Sequence, residues 1–125
     1  QLNYPELLKA NSERGSFLDM HRSEDHFDRL SPNFNFCKKT ISFEDLEYNK
    51  EFDIIYYDAF APSAQPELWE TDILSKMFHA LKPNGILTTF CAKGSFKRCL
   101  KLIGFRVEAI PGPIGKREIT RAHKD

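Results

Sequence analysis

The chain predicts an α/β fold, part of a doubly wound sheet, from three observations. Residues 52–57 and 86–92 are continuous apolar runs, the pattern of parallel strands buried on both faces. Stretches with helical apolar spacing lie between and after them, and Pro/Gly turns separate the segments. Strand, helix, strand, helix, strand is the repeat from which such a sheet is wound.

Residues 4–10 predict a short helix. Residues 11–32 are polar and mixed in charge, and weak periodicity at Phe17, Leu18, Phe27 and Leu30 predicts helix over part of them. Phe34 and Phe36 alternate with polar neighbours ahead of Cys37 and predict a strand. Residues 52–57 are apolar except for Asp53, which suits an interior strand. Pro66 then fits a first helical turn, with Glu67, Glu70 and Asp72 at the positive dipole end. Trp69, Ile73, Met77, Phe78 and Leu81 share one face of that helix, and Lys82-Pro83-Asn84-Gly85 stops it. Residues 86–92 predict the next strand, 95–103 a short amphipathic helix, 105–110 a strand, and 118–122 a last strand across the Pro111-Gly112-Pro113 turn.

A length of 125 residues implies a single domain over residues 1–125, small for a complete cofactor-binding α/β enzyme. No run is long and apolar enough to cross a bilayer, and Gln1 opens no charged-then-apolar leader, so a soluble, cytoplasmic chain is expected. Cys37, Cys91 and Cys99 are odd in number, lack a C-x-x-C pair and adjoin apolar runs, which predicts reduced structural thiols. His21 and His26 are five apart and do not share a helix face, so no metal site is expected. The net charge of zero conceals an uneven split. Residues 1–91 hold 9 Lys/Arg against 15 Asp/Glu, and residues 92–125 hold 9 against 3, giving −6 and +6. Lys93, Lys97, Arg98, Lys101, Lys116, Arg117, Arg121 and Lys124 could therefore contact a polyanion, or form a solvated face.

The strongest chemical signal is Asp58. It follows the apolar run and opens the Pro-bounded loop Ala59-Phe60-Ala61-Pro62, so it should face the crevice beyond the strand ends where α/β sheets bind ligands. An Asp that merely opens a turn has the same local pattern. None of Gly15, Gly85, Gly94, Gly104, Gly112 and Gly115 forms a G-x-G strand-to-helix turn near the N-terminus, so no nucleotide-binding loop is recognisable.

Six ordered blocks resemble one family. They are Tyr57-Asp58-Ala59-Phe60-Ala61-Pro62, Gln65-Pro66-Glu67-Leu68-Trp69, Cys91-Ala92-Lys93-Gly94, Lys97-Arg98-Cys99-Leu100, Gly104-Phe105 and Pro111-Gly112-Pro113-Ile114-Gly115-Lys116-Arg117-Glu118. Together they resemble the MnmC-like methyltransferases, the S-adenosylmethionine-dependent domain that completes 5-methylaminomethyl-2-thiouridine at the tRNA wobble position. The resemblance is good from about Asn33 onward and loose before it. It implies a Rossmann-like class I methyltransferase sheet lacking its first two strands, S-adenosylmethionine as cofactor of the full-length protein, and tRNA as partner. It also implies Asp58 as the catalytic residue, with Tyr57, Asp58 and Ala59 toward the cofactor.

For the substrate, Phe60, Pro62 and Trp69 are candidate walls, although Phe60 and Trp69 fit the core better than a stacking role, and the charge of the C-terminal third makes Lys93, Lys97, Arg98, Lys116 and Arg117 candidate phosphate contacts. The chain departs from the family pattern in three places. The acid expected near the adenine has no clear match in Lys38-Lys39-Thr40-Ile41-Ser42, with Glu44 or Asp45 as substitutes. Lys97 stands where Arg is common, and Ile119 where Met is more frequent.

The chemistry itself needs a neutral amine. A primary alkylammonium resembling lysine, with pKa ~10.4, is neutral in only about one molecule per thousand at pH 7, so desolvation must assist. A carboxylate is too weak a base to strip that proton unaided. Asp58 is therefore expected to recruit and orient the amine, while water or nearby main-chain carbonyls take the proton.

Two other functions fit parts of the pattern. An aminopropyltransferase would share the fold and an Asp at this place but would add a second acid for a polyamine, and a non-catalytic tRNA-binding fragment would need no cofactor pocket. In the strand order that the resemblance implies, the absent strands would lie between the Phe34 strand and the 52–57 strand. The latter would then have an unpaired apolar edge, open to self-association or rearrangement, and the chain alone should bind cofactor weakly and be inactive.

Overall fold

The computed structural model describes residues 27–115 and 118–125. The helix expected at residues 4–10, and the periodic positions Phe17 and Leu18, lie outside these. The chain divides into two compact units, residues 1–41 and 42–125. In the first, β1 (Phe27–Ser31) and β2 (Phe34–Cys37) form an antiparallel hairpin whose register runs from Phe27↔Cys37 to Ser31↔Phe34. The strand at Phe34 and Phe36 agrees with expectation. Phe27 and Leu30 lie in β1 and not in a helix: a two-residue Pro32-Asn33 turn lets this stretch pair with β2, and pairing overrides weak periodicity.

The second unit holds β3 (Phe52–Tyr56), α1 (Thr71–Ala80), β4 (Leu81–Thr89), α2 (Gly94–Ile103), β5 (Arg106–Pro111) and β6 (Glu118–His123). Its sheet has the order β3-β4-β6-β5. β3 and β4 run parallel, while β6 is antiparallel to both β4 and β5. Strand, helix, strand, helix, strand is thus realised, with the last strand inserted between the two before it.

The expected helix from Pro66 to Leu81 is broken. Pro66–Trp69 is a 3₁₀ turn, Glu70 is extended (φ −93°, ψ 169°), and α1 begins only at Thr71. The break turns Leu68 and Trp69 inward as a separate anchor, and only Asp72 remains acidic in the first turn of α1. Leu81 belongs to β4, where it pairs with Phe52. The predicted Lys82-Pro83-Asn84-Gly85 turn survives as a bulge inside β4, since the next pair is Ile54↔Ile86. Asn84 takes a left-handed φ of 68°, and a Cβ on Gly85 would lie 2.8 Å from the Lys82 carbonyl oxygen, so glycine is required there. β4 ends at Thr89, three residues short of the predicted strand, because residues 90–93 turn toward α2.

Side-chain alternation divides the sheet into two faces. Leu87, Thr89, Thr120 and Ala122 are buried on the face that carries the core, with Leu74, Met77, Phe96 and Leu100 from the two helices. Lys124 is buried beside them: its ammonium donates to the carbonyls of Phe78 (2.8 Å) and Leu81 (2.7 Å), satisfying the C-terminal end of α1. Burial pushes its pKa down. The other face is uncovered along β3, where Phe52, Ile54 and Tyr56 are 38%, 51% and 78% exposed. The expected interior strand is therefore the last strand of this sheet among the described residues.

Candidate active site

Parallel pairing brings the carboxyl ends of β3 and β4 side by side. The ladder continues one residue past β3, the Tyr57 N–H donating to the Thr88 carbonyl at 2.8 Å, and the chain then leaves the sheet at Asp58. A cleft of about 390 Å³ opens there, lined by Tyr56, Tyr57, Asp58, Thr88, Thr89, Phe90, Pro113 and Ile119. Asp58 is exposed at its mouth. Its position matches the crevice beyond strand ends, and among the described residues it is the one carboxylate lining the cleft.

The loop after Asp58 is tied at both ends. The buried Tyr57 hydroxyl donates to the Leu68 carbonyl, and the Trp69 indole N–H donates to the Phe60 carbonyl at 2.7 Å. These two bonds cross the loop in opposite directions, so it cannot swing without breaking one of them. Burial also pushes the Tyr57 phenol pKa up, which keeps it protonated as a donor. Trp69 is 6% exposed and makes edge contacts with Tyr57, Phe90 and Phe96, at centroid distances of 5.1, 5.9 and 5.0 Å. It is thus a core anchor and presents no free face for a base, because its N–H and ring are consumed in holding the loop. Phe60, by contrast, is 73% exposed. Pro62 is half-buried, as is Ala59, which packs on the core. Tyr57 turns its ring inward, and the cleft wall that sequence reasoning missed is Tyr56, with Thr88, Phe90, Pro113 and Ile119. Only the pairing of β3 with β4, and of β4 with β6, could have disclosed these residues.

The basic residues are dispersed. Lys97 donates to Glu118 at 2.6 Å, Arg121 lies 3.5 Å from Glu108, and Lys124 is buried in the core. Lys93, Arg98 and Lys101 remain exposed, and Lys116 and Arg117 lie outside the described residues. Because α2 starts just beyond the carboxyl end of β4, Lys93, Lys97 and Arg98 stand at the same end of the sheet as Asp58. Glu44 is exposed, and its carboxylate accepts from the Ser42 hydroxyl, which lowers its pKa. Among the described residues no group of three His, Cys, Asp or Glu could hold a metal ion, and no helix is long and apolar enough to cross a membrane.

Comparison with known proteins shows the family and the fold. A family described as S-adenosyl-L-methionine-dependent methyltransferase matches residues 17–125. The tRNA 5-methylaminomethyl-2-thiouridine biosynthesis bifunctional protein MnmC of Stutzerimonas stutzeri (strain A1501) is 37% identical over 71 residues, 57% of this chain and 11% of that protein. The crystal structure of MNMC2 from Aquifex aeolicus is similar at a TM-score of 0.68 and 27% identity, over 90% of this chain and 36% of that one. A 1,6-didemethyltoxoflavin-N1-methyltransferase from Burkholderia thailandensis shares the fold at a TM-score of 0.50 and 15% identity, over 70% of this chain and 51% of that one. The matched segment spans about a tenth of the length of that curated relative.

Proposed function

The chain belongs to the S-adenosyl-L-methionine-dependent methyltransferase family, and from that premise we propose that it is the catalytic-centre part of an N-methyltransferase acting on the aminomethyl group of a tRNA wobble uridine. The observation that carries this reading is Asp58, set at the carboxyl end of a parallel strand pair, at the mouth of a cleft, on a loop pinned by Tyr57 and Trp69. The relative named for tRNA 5-methylaminomethyl-2-thiouridine biosynthesis supports the substrate class.

The cleft fits the reacting end of the cofactor and not its adenosine end. It offers a carboxylate within largely apolar walls, and no glycine among the described residues lines it. When bound, S-adenosylmethionine supplies the methyl group. Asp58 holds the substrate amine by a charge-assisted hydrogen bond and aims its lone pair. Tyr56, Phe90 and Ile119 shed water from it, which lowers the cost of the neutral amine. Phe60, exposed next to Asp58, stacks on the uracil, and Lys93 and Arg98 meet the phosphates. With Asp58 the single carboxylate on the cleft among the described residues, the second acid that a polyamine-binding aminopropyltransferase needs is not among them.

We infer that the 125-residue chain alone binds the cofactor weakly and is inactive, and that the β3 edge, unpaired among the described residues, favours self-association. Calorimetric titration of the 125-residue chain with S-adenosylmethionine tests the first statement, and micromolar binding by a monomer would overturn it. In a longer protein that carries this segment and binds the cofactor, Asp58→Asn should lower the single-turnover rate on unmethylated tRNA by about 10²-fold or more with cofactor binding intact. Unchanged turnover would remove Asp58 from the mechanism.

A further inference from the structure

The cleft at the carboxyl end of the sheet has two rims. On the β3 side Phe60, two residues after Asp58, is exposed; on the β6 side Pro113 lines the cleft and the next residue, Ile114, is fully exposed. β4 lies between the two rims, so the β5–β6 turn stands across the cleft from the bare edge of β3. A strand added at that edge would extend the sheet away from Ile114.

The turn that carries Ile114 is braced. Pro111 pairs with Glu118 at its base, Pro111 and Pro113 restrict their own φ, and Gly115 supplies a left-handed φ of 91°. Glu118 accepts from Lys97 of α2 at 2.6 Å, and the buried Thr120 hydroxyl donates to the Cys91 carbonyl at 2.6 Å. The base of the turn is thus tied both to α2 and to the exit of β4. A β-branched apolar side chain is held out in water on a stiff support, where it gains no packing from the described residues.

The ground between the rims is cationic. Lys93 is exposed at the start of α2, and a Cβ on Gly94 would lie 3.2 Å from Nη1 of the exposed Arg98. The Arg98 guanidinium therefore folds back over the first turn of α2, toward Lys93. Two positive charges so placed suit a polyanion, and the apolar tips beside them suit one with open base faces. A duplex hides those faces in its stack; unpaired RNA presents them.

We propose that Ile114 is an RNA contact, packing on the unpaired base next to the one that enters the cleft, while Lys93 and Arg98 hold the phosphates between. Apolar side chains, isoleucine among them, serve as wedges between base steps elsewhere. Here Phe60 takes the uracil from one rim and Ile114 parts it from its neighbour at the other. The inference rests on the tRNA reading and names a further binding residue for it.

The 125-residue chain has a single tryptophan, the buried Trp69, so Ile114→Trp adds one exposed reporter. A short uridine-rich single-stranded RNA should quench the added emission, and the same strand annealed to its complement should not. Ile114→Ser, at a fully exposed position and with unchanged circular dichroism, should weaken single-strand binding by about 10-fold. Its salt slope should stay the same, whereas Arg98→Gln should make the slope shallower by about one unit at most. Binding with neither quenching nor an effect of Ile114→Ser would overturn the inference and leave the tRNA reading standing. Equal quenching by the duplex would overturn it too, as would an emission already blue-shifted without RNA and dependent on protein concentration, which would mean that a second copy covers Ile114. No binding of either RNA by the unsubstituted chain would overturn the inference together with the reading on which it rests.

Discussion

The two faces of the four-stranded sheet are built from the same strands and differ in almost everything else. On one, Leu87 and Ala122 are fully buried against Leu74 and Leu100 of the helices. On the other, Ile54 and Tyr56 are more than half exposed, and beyond them Glu108 is shared among Arg106 (3.9 Å), Arg121 (3.5 Å) and His123 (3.0 Å). The contrast shows that apolar residues on both sides of a strand record an environment with two covered faces, and that the described residues cover one. Both helical connections, β3 to β4 and β4 to β5, pack on the same side, so among the described residues no helix covers the second face, where Ile86, Ile110 and Ile119 are only half-buried.

The difference can be broken most directly by paired truncations. Leu87→Ala should cost about 2–5 kcal/mol, because it empties a closed site, whereas Ile54→Ala in dilute monomeric samples should cost under about 1 kcal/mol. Urea denaturation measures both, and similar losses would mean that the open face is packed in solution. A middle-sized effect is expected at Trp69. Trp69→Phe keeps an aromatic core but removes the bond to the Phe60 carbonyl, so a loss of about 1–3 kcal/mol should accompany faster amide exchange in residues 58–65. Unchanged exchange there would show that the indole does not hold the Asp58 loop.

The smallest effect belongs to the open face. Arg121→Gln removes a half-exposed partner of Glu108 and should cost under about 1 kcal/mol, vanishing in high salt. A larger, salt-independent loss in thermal melts would indicate that this network is shielded from water.

Much of the architecture was legible because it is encoded over short windows. Continuous apolar runs marked β3 and β4, Gly104 with its φ of 128° ended α2, and the position of Asp58 after an apolar run placed a carboxylate at the cleft. What short windows misread are the places where distant segments compete. The periodicity through Pro66 and Trp69 is helical, yet the Trp69 N–H is claimed by a carbonyl nine residues away, and Glu70 straightens to let it turn inward. Phe27 and Leu30 have weak helical spacing, and a partner strand settles them.

By itself, then, the sequence determined the alternation of strands and helices, the turns at Asn84-Gly85 and Gly104, and the carboxylate after β3. Each depends on dihedral preference or on spacing within a few residues. Only the tertiary structure decided that Tyr56 and Ile119 wall the cleft, that Trp69 anchors instead of stacking, that Lys97 is paired with Glu118, and that Lys124 is buried against carbonyls 43 and 46 residues back along the chain. Those outcomes depend on strand register and on which polar group reaches a buried donor first, and no local pattern carries either.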